Sequence, residues 1–94
     1  IFASNDEMAV GAINAAWSMG LRVPENLSVA GFDDSILASR IIPRLTTIRR
    51  PVREMARLAT LKLIAAAEGR IEDARVENKL IPELVTREST QALL

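Results

Sequence analysis

The sequence predicts an α/β fold in which helices flank a mainly parallel sheet. Two short apolar runs, residues 1–4 and 27–32, have the composition of buried strands. A stretch with helical character, at about residues 6–19, separates them. A strand, a helix and a second strand in this order form a βαβ unit, whose two strands run parallel.

The first helix has recognisable start and stop signals. Residues 4–7 read Ser-Asn-Asp-Glu, and short polar side chains accept the free N–H groups of a first helical turn, while acidic ones suit the helix dipole. Gly20 tolerates the left-handed conformation that commonly ends a helix. We therefore expect the helix to span about residues 6–19.

The middle of the chain predicts a strand followed by a second long helix. Residues 35–44 have the composition of a loop that can include one helical turn. Residues 45–49 are rich in β-branched side chains, which favour a strand. Pro51 suits the first turn of a helix, because its missing N–H costs nothing there. That helix should run over about residues 52–68 and stop at Gly69.

The last quarter is less regular. Residues 71–78 are charged and irregular, and residues 79–87 read as extended. Pro82 interrupts the extended part, since proline cannot donate to a strand ladder, so we expect two short strands or a bend. The last seven residues read as a loose end.

Composition excludes several kinds of chemistry. The chain has 94 residues, enough for one small domain, and 12 basic residues balance 12 acidic ones. It has no Cys, His or Tyr, which removes thiol nucleophiles, the usual general base and the commonest zinc ligand. The longest apolar run has five residues, far fewer than the roughly 20 that cross a bilayer. We predict no catalytic residue, no metal, no cofactor and no membrane partner.

The strands outnumber the helices that should cover them. Both faces of a parallel sheet are normally covered by helices. Only two long helices are predicted here, for three or four strands. We therefore expect the chain to be a fragment of something longer, or to borrow a partner.

The first helix carries two apolar stripes. One stripe suits packing on the sheet and contains Met8, Ala9, Ala12, Ala15, Ala16 and Met19. The second contains Val10, Ile13 and Trp17, with Asn14 beside them. It lies either under other parts of the domain or in a subunit interface. We favour the interface, because Trp17 is a large anchor and symmetric dimers are the commonest oligomers.

Polar residues follow both strands of the βαβ unit. Asn5 follows the first and Asp33 the second. Ligands of parallel sheets bind at the carboxyl ends of strands, so both side chains should face one crevice. An amide and a carboxylate suit a ligand rich in hydroxyl or N–H groups. Helix capping and turn formation explain each residue alone, and paired Asp residues also occur in magnesium sites and glycosidases.

A run of arginines lies near the second helix. Its six members are Arg40, Arg44, Arg49, Arg50, Arg53 and Arg57. Such a run can contact nucleic acid, but it lacks interleaved aromatic residues and more often forms a solvated surface. Arg49 and Arg50 end a strand, so one of them can reach an anionic or hydroxylated ligand.

Four segments in register resemble a known family. Residues 1–9, 20–34, 43–51 and 84–89 closely resemble the end of the effector-binding core of LacI/GalR-family bacterial transcriptional regulators. The resemblance implies a fragment of a periplasmic-binding-protein-like (type I) core, which binds a sugar or another small polar metabolite and is not an enzyme. It also implies that the protein is bacterial and cytoplasmic, and that it forms a homodimer or tetramer. A sugar-binding protein of a transport system has the same fold and is the alternative.

The resemblance also implies a domain division. Residues 1–48 and 83–94 correspond to the C-terminal subdomain of the core, and residues 49–82 to a crossover strand, helix and return segment of the N-terminal subdomain. The family's DNA-binding headpiece has no counterpart in this sequence. Operator DNA is therefore expected to bind only through a segment absent from these residues.

Site residues carry over position by position. The resemblance places effector contacts on Asn5 and Asp33, with further contacts on Arg50 and Val52. Many family members have Gln where Arg50 stands. The family's dimer face falls on Val10, Ile13, Asn14, Trp17 and Ile41, which include the second stripe of the first helix.

Overall fold

The computed structural model describes residues 1–93, which divide into two units. The first unit combines Ile1–Arg50 with residues 83–93, and the second is Pro51–Pro82. The chain therefore leaves the first unit after Arg50 and returns to it at Glu83.

Helix α1 (Asp6–Ser18) opens the first unit, where the sequence predicts it. The side-chain Oδ1 of Asn5 accepts a 2.8 Å hydrogen bond from the backbone N–H of Met8, and Asp6 and Glu7 lie in the first turn. Past the other end, Gly20 has a φ of 78°, the left-handed conformation that glycine adopts without strain. A single 3₁₀ turn (Ile36–Ser39) follows in the predicted loop.

The only regular sheet within residues 1–93 has two antiparallel strands. Strand β1 (Thr47–Arg49) pairs with β2 (Glu83–Val85), in a register that places Thr47 opposite Val85 and Arg49 opposite Glu83. The expectation of a mainly parallel sheet is therefore wrong for these residues.

The predicted parallel neighbours are present only as isolated bridges. Phe2 bridges Ala30, and Ala30 bridges Thr46, both in the parallel sense. The backbone N–H of Ala3 donates to the carbonyl of Ala30 over 2.8 Å, and that of Gly31 to Thr46 over 2.9 Å. Asn5 caps α1 and Asp33 has a positive φ, so neither run continues as a strand beyond these residues.

The core of the first unit is small and rich in alanine. Its buried members are Ala3, Ala9, Ile13, Ala16, Val23, Val29, Ala38 and Leu45. On α1, Asp6, Ala9, Ile13 and Ala16 recur at the three- and four-residue spacing of a single buried stripe. The predicted packing stripe is therefore partly wrong, since the structure exposes Met8, Ala15 and Met19 and buries Ile13 in their place.

The segment after β2 is tied into the core, contrary to the expected loose end. Ser89 is fully buried, and its hydroxyl donates to the carbonyl of Val29 while accepting a 2.9 Å hydrogen bond from the N–H of Thr46. The hydroxyl of Thr90 lies 2.8 Å from that of Thr46. Segment 88–91 therefore takes the place of a further strand beside residues 29 and 46.

The second unit consists of two helices. Helix α2 spans Val52–Ala67, and Gly69 after it has a φ of 78°. Helix α3 (Ile71–Ala74) lies where the sequence appears irregular, and Glu72 and Asp73 in its first turn favour helix formation. Most of α2 is exposed, with only Ala65 fully buried. Within the described residues, neither of these helices nor α1 is long and apolar enough to cross a membrane.

Candidate functional site

Asn5 and Asp33 line one shallow pocket in the first unit. Its volume is about 170 Å³, and the lining residues are Asn5, Asp6, Glu7, Asp33 and Ser35. The start of α1 supplies the first three, and the turn after residues 27–32 supplies the other two. The structure thus brings together the two polar strand ends that the sequence singles out.

The two polar atoms of the Asn5 side-chain amide have different roles: the oxygen is structural, and the nitrogen is available to a ligand. Its Oδ1 caps α1 by accepting from the Met8 N–H. The side-chain nitrogen at the same position carries two N–H donors. Helix capping and ligand binding are thus compatible here, because they use different atoms of one amide.

Asp6 is a buried carboxylate whose position in the sequence indicates only helix capping. It is 2% exposed. Its Oδ1 accepts a 2.7 Å hydrogen bond from the hydroxyl of Thr47, and its Oδ2 accepts a 2.6 Å bond from the N–H of Ser35. Asp6 therefore joins α1 to β1 and to the turn that carries Asp33. No local sequence signal distinguishes this role, because Thr47 is 41 residues away along the chain.

Asp33 is partly exposed and pairs with Arg50. Arg50 Nη2 lies 2.5 Å from Asp33 Oδ1, and both side chains are roughly two-fifths exposed. The guanidinium carbon of Arg50 lies 5.6 Å from the centre of the Phe32 ring, within cation–π range. A carboxylate beside a guanidinium can accept hydrogen bonds from hydroxyls while the cation donates to a neighbouring oxygen.

Asp34 differs from its neighbour because it is enclosed. Its side chain is 12% exposed and lies 2.7 Å from both Arg49 Nε and Arg87 Nη2. Burial alone would raise the pKa of the Asp34 carboxyl, but the hydrogen bonds and positive charges of the two arginines outweigh it and lower that pKa. Asp34 is therefore a structural anion, and Asp33 is the member of the pair that faces the pocket.

Val52 belongs to the second unit. It is the first residue of α2, and its side chain is exposed. The other three effector contacts inferred from the resemblance, Asn5, Asp33 and Arg50, all belong to the first unit.

The five residues assigned to a dimer face differ in exposure. Trp17 is 68% exposed and Asn14 is also exposed, whereas Val10 and Ile41 are half-buried. Ile13 is 3% exposed and belongs to the core, so it offers almost no surface to a partner. Trp17 also lines an open groove of about 470 Å³ together with Leu21, Ile42 and Pro43.

Most members of the arginine run have acidic partners. Arg44 pairs with Glu88 over 2.8 Å, and Arg57 pairs with Glu54 on the same helix. Arg49 and Arg50 pair with the two aspartates described above. Their charges are thus balanced locally, which is unlike a basic nucleic-acid patch.

The chemistry of the pocket is that of hydrogen bonding. Amide and carboxylate groups surround it. Among residues 1–93, no three potential metal-binding side chains cluster. A small ligand with several hydroxyl groups matches this set of donors and acceptors.

Comparison with known proteins relates nearly the whole chain to one family. Residues 1–90 match the periplasmic binding protein-like domain. The NTD biosynthesis operon regulator NtdR of Bacillus subtilis is 41% identical over 90 residues, which cover 96% of this chain and 27% of that protein. The chain spans about a quarter of the length of such curated relatives, and these relatives are transcriptional regulators, not enzymes.

Solved structures show the same relationship. A lac repressor dimer bound to operator and the anti-inducer ONPF superimposes with a TM-score of 0.84 at 37% identity, over 97% of this chain and 31% of that one. A LacI-family transcriptional regulator from Arthrobacter sp. FB24 in complex with lactose gives a TM-score of 0.80 at 36% identity, over 97% of this chain and 34% of that one.

Proposed function

Because the chain belongs to the periplasmic-binding-protein-like domain family and is part of the effector-binding domain of a LacI/GalR-type regulator, we propose a function in effector response. The chain couples the binding of a small sugar-like metabolite to the operator affinity of the intact protein. The observation that carries this proposal is the pocket shared by Asn5 and Asp33. The coupling would act through two global states of the intact protein, with different effector affinities.

The effector would bind through the pocket in the first unit. Asp33 accepts hydrogen bonds from sugar hydroxyls, and the side-chain nitrogen of Asn5 donates to a sugar oxygen. Arg50 adds a cation beside Asp33. The lactose complex of the Arthrobacter relative supports a sugar as the ligand class.

The two units would belong to different subdomains of the complete core. We assign the first unit to the C-terminal subdomain and the second to the N-terminal one. Val52 would then contribute an effector contact from the N-terminal subdomain. The support is the chain path, which leaves the first unit after Arg50 and returns at Glu83.

Self-association would use the exposed side of α1. Trp17 and Asn14 are exposed there, with Val10 and Ile41 half-buried. Ile13 would support this face from within the core instead of contacting the partner. The similar lac repressor is a dimer, which supports self-association as such. Operator binding would require a headpiece from outside these residues, and a regulator of this kind acts in the cytoplasm, where the DNA is.

Calorimetric titration of the full-length protein tests the effector site. We expect one neutral sugar from a panel that includes lactose to bind the wild type. We expect Asp33→Ala to weaken that binding by at least tenfold, because each charged hydrogen bond contributes about 1.5–3 kcal/mol. Asp73→Ala is the matched control, since Asp73 is an exposed aspartate of the second unit paired with Arg70. Equal affinity of the Asp33 variant and the wild type would refute the site.

A further inference from the structure

The turn that carries Asp33 has a backbone conformation that few side chains adopt. Asp33 has a φ of 113° and Asp34 a φ of 53°. Positive φ is strained for residues other than glycine, and Asn and Asp tolerate only its left-handed helical part. Such a turn persists only where the surrounding structure fixes it.

Three consecutive backbone N–H groups tie this turn to its neighbours. The N–H of Asp33 donates to the carbonyl of Ile48 over 2.9 Å. The N–H of Asp34 donates to the hydroxyl of Thr47 over 3.3 Å, and that of Ser35 to Asp6 over 2.6 Å. The middle bond is the longest and therefore the weakest of the three.

The Asp34 side chain supplies these contacts from two directions. Arg49 of β1 donates to its Oδ2, and Arg87, which follows β2, donates to its Oδ1. Arg87 is itself fixed, because its other terminal nitrogen donates to the carbonyl of Leu45 over 3.0 Å and its backbone N–H to Thr46 over 2.9 Å. Both oxygens of one carboxylate are thus held by different segments of the chain.

Asp33 has no comparable support at its tip. Its side chain contacts the partly exposed Arg50 alone among the ion pairs of the described residues. Its direction therefore depends on the backbone of the turn, with one partly exposed ion pair at the carboxylate.

We propose that Asp34, held by Arg49 and Arg87, is a positioning residue that fixes the direction of Asp33 and thereby the affinity of the effector pocket. This inference rests on the proposed function of Asp33 as an effector contact. The two aspartates of the pair then have separate roles. Asp34 does not touch the ligand. Loss of its charge would instead leave the direction of Asp33, which contacts the ligand, less well fixed.

The test compares Asp34→Asn and Arg87→Met with Glu88→Gln in the full-length protein. Asn tolerates positive φ, so Asp34→Asn removes the charge without adding backbone strain. Glu88→Gln is the matched control, because it weakens an exposed pair next to Arg87 that lies outside the turn. Arg87→Lys keeps the charge but cannot reproduce two fixed donors, so it should recover part of the effect.

Two measurements distinguish positioning from general destabilisation. We expect hydrogen exchange at the amides of Asp33 and Asp34 to quicken at least tenfold in Asp34→Asn and Arg87→Met, while the amides of α1 exchange at the wild-type rate. We expect the Kd for lactose, the probe sugar, to rise about tenfold. Glu88→Gln should change neither quantity.

The exchange measurement keeps this inference separate from the proposed function. If wild type and variants all fail to bind lactose or any other sugar tested, the effector assignment loses its support, and fast exchange at Asp33 still establishes the tether. Wild-type exchange at Asp33 and Asp34 in both variants overturns the inference. Fast exchange with an unchanged Kd for a sugar that binds overturns it as well, since Asp33 would then need no fixed direction.

Discussion

The carboxylate of Asp6 in α1 accepts a 2.7 Å hydrogen bond from the hydroxyl of Thr47 in β1, and both side chains are buried. The second oxygen of Asp6 accepts from the backbone of Ser35. One buried carboxylate thus connects the helix that presents Asn5, the strand that leads to Arg50, and the turn that presents Asp33. The candidate site depends on this connection although Asp6 itself is almost inaccessible.

Asp6→Ala should lower the free energy of unfolding by about 1–3 kcal/mol, because it leaves the Thr47 hydroxyl and the Ser35 N–H without their buried acceptor. Urea unfolding of the full-length protein measures this change. Glu7→Ala is the control at the next position, where the side chain is exposed, and it should change stability by no more than about 0.5 kcal/mol. Equal stabilities of the two variants would contradict the role of Asp6.

Gly31 leaves no room for a side chain beside Asp6. A Cβ at this position would overlap a carboxylate oxygen of Asp6 and lie 2.8 Å from Cδ2 of Leu45. Both neighbours are buried, so we expect Gly31→Ala to destabilise the protein by about 1–3 kcal/mol through overpacking. The measurement is the shift in the midpoint of thermal or urea unfolding.

Gly11 provides the matched control for that substitution. It lies inside α1, and a Cβ there would meet no atom within 4 Å. Gly11→Ala should therefore stabilise the protein by about 0.5–1 kcal/mol, since alanine is the better helix former. Opposite signs for the two Gly→Ala changes are the expected result. Destabilisation by both, or by neither, would contradict the packing described around Gly31.

The sequence predicts the local elements better than their pairing. The helix caps at Asn5 and Gly20 are local signals, so the bounds of α1 were accessible to sequence reasoning. The extent of the parallel sheet cannot be predicted in this way, because the length of a strand ladder depends on distant segments. Segment 88–91, for example, occupies the space beside Val29 through contacts that span some 60 residues of chain.

In the candidate site, too, the sequence predicts local features better than contacts between distant segments. The rule that ligands bind at strand ends brought Asn5 and Asp33 together, and they line one pocket. The different roles of Asp33 and Asp34 were not visible, because they follow from arginines 15 and 53 residues further along the chain. For a related reason, the sequence does not predict the burial of Ile13. The two stripes on α1 lie side by side, and the core buries members of both, Ala9 and Ala16 from the first and Ile13 from the second.

Acid should weaken the fold partly through Asp34. Its pKa is lowered in the folded protein, so its contribution to stability is present above the unfolded-state pKa of about 3.9 and is lost as pH falls through the lower folded value. We expect the unfolding free energy of the wild type to decline below about pH 4. Asp34→Asn should be less stable at pH 7 and should decline less steeply with acid.

Unfolding of both proteins at pH 7 and at several values below pH 4 checks this prediction. Glu88→Gln again serves as a control, because the pKa of Glu88 is also lowered, by its hydrogen bonds to Arg44, but its side chain is exposed. At pH 7, Glu88→Gln should lower the free energy of unfolding less than Asp34→Asn does, because exposed ion pairs contribute little to stability. Parallel acid profiles for Asp34→Asn and the wild type would contradict the ion-paired state of Asp34.

Trp17 should anchor self-association of the full-length protein. Its side chain is large and 68% exposed on α1, and aromatic anchors at the centre of an interface cost about 2 kcal/mol or more when truncated. Trp17→Ala should therefore raise the dimer dissociation constant by roughly 30-fold, measured by sedimentation at several concentrations. Met19→Ala removes a comparably exposed apolar side chain from α1's C-terminal end, outside the assigned face, and should leave the constant unchanged. If Trp17→Ala sediments like the wild type while Met19→Ala dissociates, the contact face lies elsewhere on the helix, and the assignment of Val10, Asn14 and Ile41 to it fails as well.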